Sequence, residues 1–268
     1  MLSMTASGGH GTASWQRYVA VGDSFTEGVG DPLPDGALRG WADQVAAALS
    51  VRSPDLRYAN LAVRGRRFYR VVAEQVPAAQ QLAPDLVSFA AGGNDLLRPG
   101  FDLPGLTERL EEVVAAFRAA GADVVLFRFA DISRRLPLRG LLYRRVVAMN
   151  QAVVDVGERY GACVVDMFSD PELADPRSWC DDRLHLNARG HRRVADRVLA
   201  ALGVPADLEW LVSAPVPRSS WPAARAADLR WAYSYFGPWV HRRLTGRSSG
   251  DRRAPKRPTL TSAAELLG

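Results

Sequence analysis

Lysine is almost missing from this chain: Lys256 is the single lysine among 34 basic residues, the other 33 being arginine. A skew of that size reflects a GC-rich coding genome and carries no mechanism. Cysteine is nearly as scarce. Cys163 and Cys180 stand in neither a CxxC nor any other metal-ligand spacing, which excludes a disulfide framework and a cysteine metal site. No apolar run approaches the roughly 18 to 20 residues that cross a bilayer. The stretch from Met1 to Arg17 is polar and Gly/Ser-rich, without the apolar centre of a secretory signal. It reads as a loose leader over residues 1–16, with the cytoplasm as the expected location. There is no Gly-x-Ser-x-Gly elbow, P-loop or His-Glu-x-x-His, and Gly28-Val29-Gly30 lacks the third glycine of a dinucleotide fingerprint. No cofactor and no metal are expected.

What is present is a regular alternation. Short apolar strands are expected at Val19–Val21, Leu56–Leu61, Asp85–Ala91, Asp123–Phe129 and Cys163–Asp166. Between them, helical spacing marks Gly40–Ser50, Phe68–Leu82, Leu106–Ala120, Leu141–Tyr160 and Leu186–Leu202, with Pro77 a point of interruption in the second. Apolar strands that look buried on both faces and alternate with helices predict an α/β fold, a parallel sheet covered on both sides. The pattern stops at Gly203-Val204-Pro205, which bounds a domain over residues 17–204.

In a parallel sheet the carboxyl ends of all strands share one edge, so features that follow strands converge there. After the first strand comes Gly22-Asp23-Ser24, and after the second Gly65. Gly92-Gly93-Asn94-Asp95 follows the third and Asp182-Arg183-Leu184-His185 the fifth. Together they hold what acyl transfer needs. A serine hydroxyl requires a base, and histidine titrates in the right range. Of four histidines, His185 alone has an acid three residues before it. That acid, Asp182, is placed to hold the imidazole, while the Ser24 and Gly65 amides and the Asn94 side chain suit an oxyanion. The alternatives are ordinary: turn glycines, a loop after a strand, and Asp182 as the cap of the helix near Leu186. His191 is the rival base and Asp181 the rival acid.

The four blocks Gly22-Asp23-Ser24-Phe25, Asn60-Leu-Ala-Val-Arg-Gly65, Gly92-Gly93-Asn94-Asp95 and Asp182-Arg183-Leu184-His185 resemble those of the SGNH hydrolases, the GDSL esterase/lipase family, with Phe25 where the family name has leucine. The resemblance spans about residues 17 to 203. It implies a flavodoxin-like three-layer α/β/α sandwich with a five-stranded parallel sheet in the order 2-1-3-4-5. It also implies Ser24 as nucleophile, His185 as base, Asp182 as its orienting acid, and Ser24, Gly65 and Asn94 as the oxyanion hole. Asp23 and Asp95, inside the blocks, are supporting residues. The implied activity is cleavage of carboxylic esters through an acyl-serine. Thioesterase and sugar or metabolite O-deacetylase are the alternative enzymes, because relatives act on lipids, thioesters, acetylated sugars and other acyl esters.

A non-catalytic binding module using the basic tail is the reading from another class. The segment from His241 to Pro258 carries seven basic residues against one acid, a formal +6, which leaves the rest at −1 of the chain's +5. Such a tail resembles those of actinobacterial members of the family. Arg64, Arg66, Arg67 and Arg70 cluster after Gly65, as an anion-attracting wall or a solvated surface. The segments Phe101–Leu106 and Arg134–Leu142 are expected to wall the substrate site. Residues 205–245 form a Trp-rich extension with Trp210, Trp221, Trp231 and Trp239. Leu229, Tyr233, Phe236, Val240 and Leu244 fall on one helical face, with Pro238 a kink or restart. That helix packs back on the core, acts as a lid, or meets a protein or anionic membrane surface. Residues 246–268 read as a flexible tail. A small-molecule ester is the expected partner, and no specific nucleic acid.

Overall fold

The structure, a computed structural model, describes residues 14–205 and 221–267. The leader through residue 13, Trp210 and most of the link to the extension lie outside the described residues. The five expected strands form as β1 (Arg17–Gly22), β2 (Arg57–Asn60), β3 (Leu86–Ala90), β4 (Asp123–Arg128) and β5 (Cys163–Asp166). Neighbouring members run parallel in the order 2-1-3-4-5. Every residue of β1 after Arg17 is buried. Tyr18 and Ala20 face one apolar layer, Val19 and Val21 the other, as the two-residue strand period requires.

The first layer is supplied by α2 (Gly40–Arg52) and α8 (Ala188–Ala201), through Trp41, Val45, Val194 and Val198. The second is supplied by α3 (Phe68–Gln81), α5 (Leu103–Ala119) and α6 (Arg139–Tyr160), through Val71, Leu110, Phe117 and Met149. Pro77 does not end α3, which runs on to Gln81 with Ala79 buried in the core. Three one-turn helices escape the sequence reading: α1 (Ser24–Glu27), α4 (Gly93–Leu96) and α7 (Pro171–Ala174). Four residues are too few to show a helical period.

Both ends of the domain depart from expectation. The leader is anchored before Arg17, because Trp15 is buried and its indole N–H donates to Asp123 Oδ2 at 3.0 Å. At the other end, the segment expected to be a flexible tail supplies β6 (Arg257–Ser262), antiparallel to β2 with Tyr58 opposite Thr261. The sheet therefore has six strands, in the order β5-β4-β3-β1-β2-β6. The physical reason is the edge: β2 would otherwise present an unpaired row of amides and carbonyls, and Thr259-Leu260-Thr261 has the β-branched alternation to pair with it.

The lone lysine fastens this tail. Lys256 Nζ donates to Leu38 O at 3.0 Å, Arg39 O at 2.5 Å and Asp43 Oδ2 at 2.9 Å. An ammonium has three donors, and here three acceptors meet them, a geometry a planar guanidinium does not match. Part of the tail's basicity is thus spent inside the protein.

Beyond the undescribed link, α9 (Trp221–Trp231) and α10 (Gly237–Leu244) are joined by a π-helical turn at Ala232–Phe236. That turn breaks the expected face. Leu229 and Tyr233 are exposed, while Trp231, Phe236 and Trp239 stack in sequence with ring centroids 5.4 and 5.8 Å apart. A π turn inserts extra backbone, so positions in phase before it are out of phase after it. Pro238 follows the π turn by two residues, inside a run of helical backbone that continues from α9 into α10. Among the described residues no helix is long and apolar enough to cross a membrane.

Candidate active site

Ser24 begins α1 directly after β1, at the carboxyl edge of the sheet. The turn is tight. A Cβ on Gly22 would lie 2.5 Å from both Ala90 O and Thr26 Oγ1, so only glycine fits there. The backbone of Gly22 is gripped by Gln75, whose Oε1 accepts its N–H and whose Nε2 donates to its carbonyl, each at 2.9 Å. Asp23 caps α1 by accepting the Phe25 N–H at 3.1 Å.

His185 arrives from the loop between β5 and α8, and its Nε2 lies 3.0 Å from Ser24 Oγ. Its Nδ1 lies 2.5 Å from Asp182 Oδ2. The other oxygen, Asp182 Oδ1, accepts the Leu184 and His185 amides at 3.0 Å each. Burial raises the Asp182 carboxyl, but the hydrogen bond and charge of His185, with those two amides, outweigh it and hold the group below its usual range. Asp182 is not the helix cap, because Asn187 takes that place by accepting the Gly190 N–H. Asp181 points to solvent.

His191 is a structural residue. It is fully buried, its Nδ1 accepts the Trp41 N–H at 3.3 Å and its Nε2 donates to Val29 O at 3.1 Å. Burial pushes its pKa down to about 4, so the ring stays neutral and both nitrogens are engaged.

Asn94 sits in α4, and its Nδ2 donates to Asp23 Oδ2 and to Arg66 O, each at 3.0 Å. Both Nδ2 hydrogens are thus engaged, and the second bond ties the side chain to the loop that carries Gly65. Gly65 adopts the left-handed backbone at φ +73°, its carbonyl accepting from Ser248 Oγ at 3.2 Å. Asp23 is buried against Asn94; burial raises its pKa to about 6, against the pull of the Phe25 amide and His185. Asp95 faces another way, accepting the Phe68 N–H at 2.8 Å and so holding the start of α3.

The structure therefore brings Ser24, His185, Asp182, Asn94 and Asp23 together, with Gly65 on the adjoining loop. Ser24, His185 and Asn94 line a recess of about 90 Å³, floored by Phe129, Met167 and Leu186. Three of the four clustered arginines are paired within the protein, and the fourth, Arg67, is exposed. Arg64 grips Glu27 of α1 with both its guanidinium and its backbone N–H, and Arg66 and Arg70 pair with Glu74. Among the expected walls, the 134–142 segment reaches the site through Leu136 to Leu142, while on the other side Leu96 to Pro99 takes the place expected of Phe101–Leu106.

Several residues support the site through contacts that the sequence reading does not assign. Gln75 carried a signal, a polar residue in the apolar stripe of α3 that is buried at 3% exposure. Asn60 opens the second block, and it fixes α1 by donating to Thr26 O at 2.9 Å. Trp231 donates its indole N–H to Asp182 O at 2.9 Å, a long-range contact with no local signature. Among the described residues no group of three or more His, Cys, Asp or Glu is arranged to hold a metal ion.

Comparisons with known proteins agree with this geometry. The model of the GDSL-like lipase/acylhydrolase family matches residues 20–193. An arylesterase of Vibrio mimicus is 24% identical over 70% of this chain and 88% of its own length. The uncharacterized YpmR of Bacillus subtilis is 38% identical, over only 33% of this chain and 36% of that protein. Among solved structures, TesA aligns with a TM-score of 0.58 at 24% identity, covering 70% of this chain and 98% of TesA. A catalytic mutant of Axe2, an acetylxylan esterase from Geobacillus stearothermophilus, aligns at 0.61 and 18%, covering 72% and 97%. With most of its length inside the family's boundaries and a serine, histidine and aspartate in hydrogen-bonded line at the sheet edge, the chain belongs to the GDSL-like lipase/acylhydrolase family, the SGNH hydrolases.

Proposed function

We propose that the protein is a serine hydrolase that cleaves carboxylic esters, with Ser24 attacking the acyl carbon and an acyl-serine as intermediate. The observation that carries this reading is the unbroken line Asp182–His185–Ser24, at 2.5 and 3.0 Å. His185 Nε2 takes the hydroxyl proton as the Ser24 oxygen bonds to the carbonyl carbon, then returns it to the departing alkoxide. Water enters by the same route and releases the acid. Asp182 fixes the tautomer with Nδ1 protonated and stabilises the imidazolium. The Ser24 and Gly65 backbone N–H groups receive the oxyanion, joined by Asn94 Nδ2 when it exchanges one of its two bonds for the substrate oxygen, each such donor accounting for on the order of a hundredfold or more in rate.

Two further points belong to this proposal. The 90 Å³ recess beside Ser24 suits a small acyl group, which supports removal of acetyl from a larger alcohol as a second reading. Two free thiols, Cys163 and Cys180, are in keeping with a cytoplasmic site of action. The test is hydrolysis of p-nitrophenyl acetate and butyrate, an acetyl thioester and an acetylated sugar by wild type and by Ser24→Ala. Ester cleavage that disappears with Ser24→Ala supports the reading. Turnover of the thioester alone would transfer it to the thioesterases, and equal rates in both proteins would end it.

A further inference from the structure

A second, larger cavity adjoins the small recess. It is a groove of about 760 Å³ that shares Leu96, Leu97, Leu184 and His185 with the recess beside Ser24. One bank belongs to the hydrolase domain and includes Leu136 and Leu141; the other, from α9, the π turn and α10, includes Trp231, Phe236 and Trp239 with Ser234 and Tyr235. The volume falls in the range of about 300 to 1,000 Å³ usual for sites that enclose a ligand.

The second bank is fastened to the catalytic loop. Trp231 donates to the carbonyl of Asp182 at 2.9 Å, Arg183 pairs with Asp228 at 2.9 Å, and the Arg183 guanidinium lies 4.8 Å over the Trp231 ring. Arg183 itself holds the left-handed backbone at φ +64°. The loop that presents Asp182 and His185 and the helix that closes the groove are thus one connected unit. This bank lies beyond residue 193, where the family match ends, and the solved relatives cover about all of themselves but only 70 to 76% of this chain. The groove is a feature of this chain's own extension.

Its chemistry is hydrocarbon. Two cations line the groove: Arg145 is occupied by the backbone carbonyls of Leu96 and Arg98 at 2.8 and 2.6 Å, and burial together with the neighbouring Arg67 disfavours the charge of Arg98. The acid at its catalytic end, Asp182, is held by His185. Leu138 and Leu141 on the bank are 72% and 47% exposed, apolar surface that a chain in the groove would cover.

Resting on the esterase reading above, the structure assigns the groove between α6 and α9–α10 to a long aliphatic chain of the ester substrate, held against Trp231, Phe236 and Trp239 while the ester group sits at Ser24. The chain belongs either to the acid or to the alcohol, and the two are separable by experiment. The extension is then a specificity wall rather than a free appendage.

The test uses the full-length protein with two substrate series: p-nitrophenyl esters from acetate to decanoate, and acetates of straight-chain alcohols from ethyl to decyl. In one series kcat/KM rises about twofold to fourfold per methylene, the upper value being the equivalent of about 0.8 kcal/mol for a fully buried CH₂. The series that rises identifies which side of the ester lies in the groove. Phe236→Asp and Leu141→Asp, on opposite banks, each flatten that rise. Leu141 is half exposed in a long helix, so its variant tests the groove even if the first loosens α9–α10. Ser24-dependent acetate hydrolysis with no gain in either series, or a gain that survives Leu141→Asp, overturns the assignment and leaves the esterase standing. No turnover of any ester and no reaction of Ser24 with a fluorophosphonate removes both.

Discussion

Replacing Asp182 by asparagine separates catalysis from structure more cleanly than any other single change. The carboxylate makes three bonds, with Oδ1 accepting two backbone amides at 3.0 Å and Oδ2 facing His185 Nδ1 at 2.5 Å. An amide has one acceptor oxygen, and the two backbone N–H groups claim it. Its NH₂ is then forced toward Nδ1, which must give up its proton and accept. The imidazole is left with its proton on Nε2, aimed at Ser24 Oγ, and a ring in that tautomer cannot take the hydroxyl proton. The expected loss in kcat is about 10⁴-fold, equivalent to about 5.4 kcal/mol at 1.36 kcal/mol per decade. Volume and the two backbone bonds are retained, so the urea midpoint stays near that of wild type. The assay is p-nitrophenyl butyrate hydrolysis at pH 8, with Asp181→Asn as control because that side chain points to solvent. A loss below tenfold in Asp182→Asn, or an equal loss in Asp181→Asn, refutes the reasoning.

Other expectations follow from groups buried around the site. Folding raises the Asp23 pKa from 3.8 to about 6, so the folded state binds the proton more tightly and the group costs stability as pH rises through that window. Asp23→Asn, which cannot titrate, should therefore gain on wild type by up to about 3 kcal/mol between pH 4 and pH 7; urea melts showing a pH-independent difference would contradict this. Lys256→Met leaves the Asp43 carboxylate buried without its cation and should cost about 3 to 5 kcal/mol in denaturant unfolding. Part of that loss returns in the double variant with Asp43→Asn, and a cost below 1 kcal/mol would sink the argument. Burial, with Asp182 and Asp181 beside it, pushes the Cys180 thiol up to about 11, and burial with Asp123 does the same for Cys163. Both should react with Ellman's reagent at pH 7.5 at least about a hundredfold more slowly than free cysteine, and a rate within tenfold of free cysteine at either thiol would contradict its burial.

The features that were legible from sequence are those whose cause is local. Strands such as Val19–Val21 and Leu86–Ala90 are apolar on both faces and bounded by glycine, so their burial in a parallel sheet follows from the residues themselves. Ser24, Asn94 and His185 lie where strands end, and the common edge brings them together. The misreadings have non-local causes. Whether residues 257–262 pair with β2 depends on an edge about 200 positions away, and the same distance separates Lys256 from Asp43. The face of the extension fails for a different reason, because a π turn changes the period in mid-segment while periodicity analysis assumes it constant. The acid three residues before it sets His185 apart in the sequence, whereas the structural role of His191 follows only from its burial and two backbone partners.

The central claim is that the oxygen of Ser24 becomes covalently bound to the acyl group, and intact-mass spectrometry with a fluorophosphonate reports on it directly. The account predicts one adduct per chain on wild type, mapped by peptide sequencing to Ser24, absent from Ser24→Ala and much slowed in His185→Ala. An adduct on another residue, or equal labelling of Ser24→Ala, would contradict it.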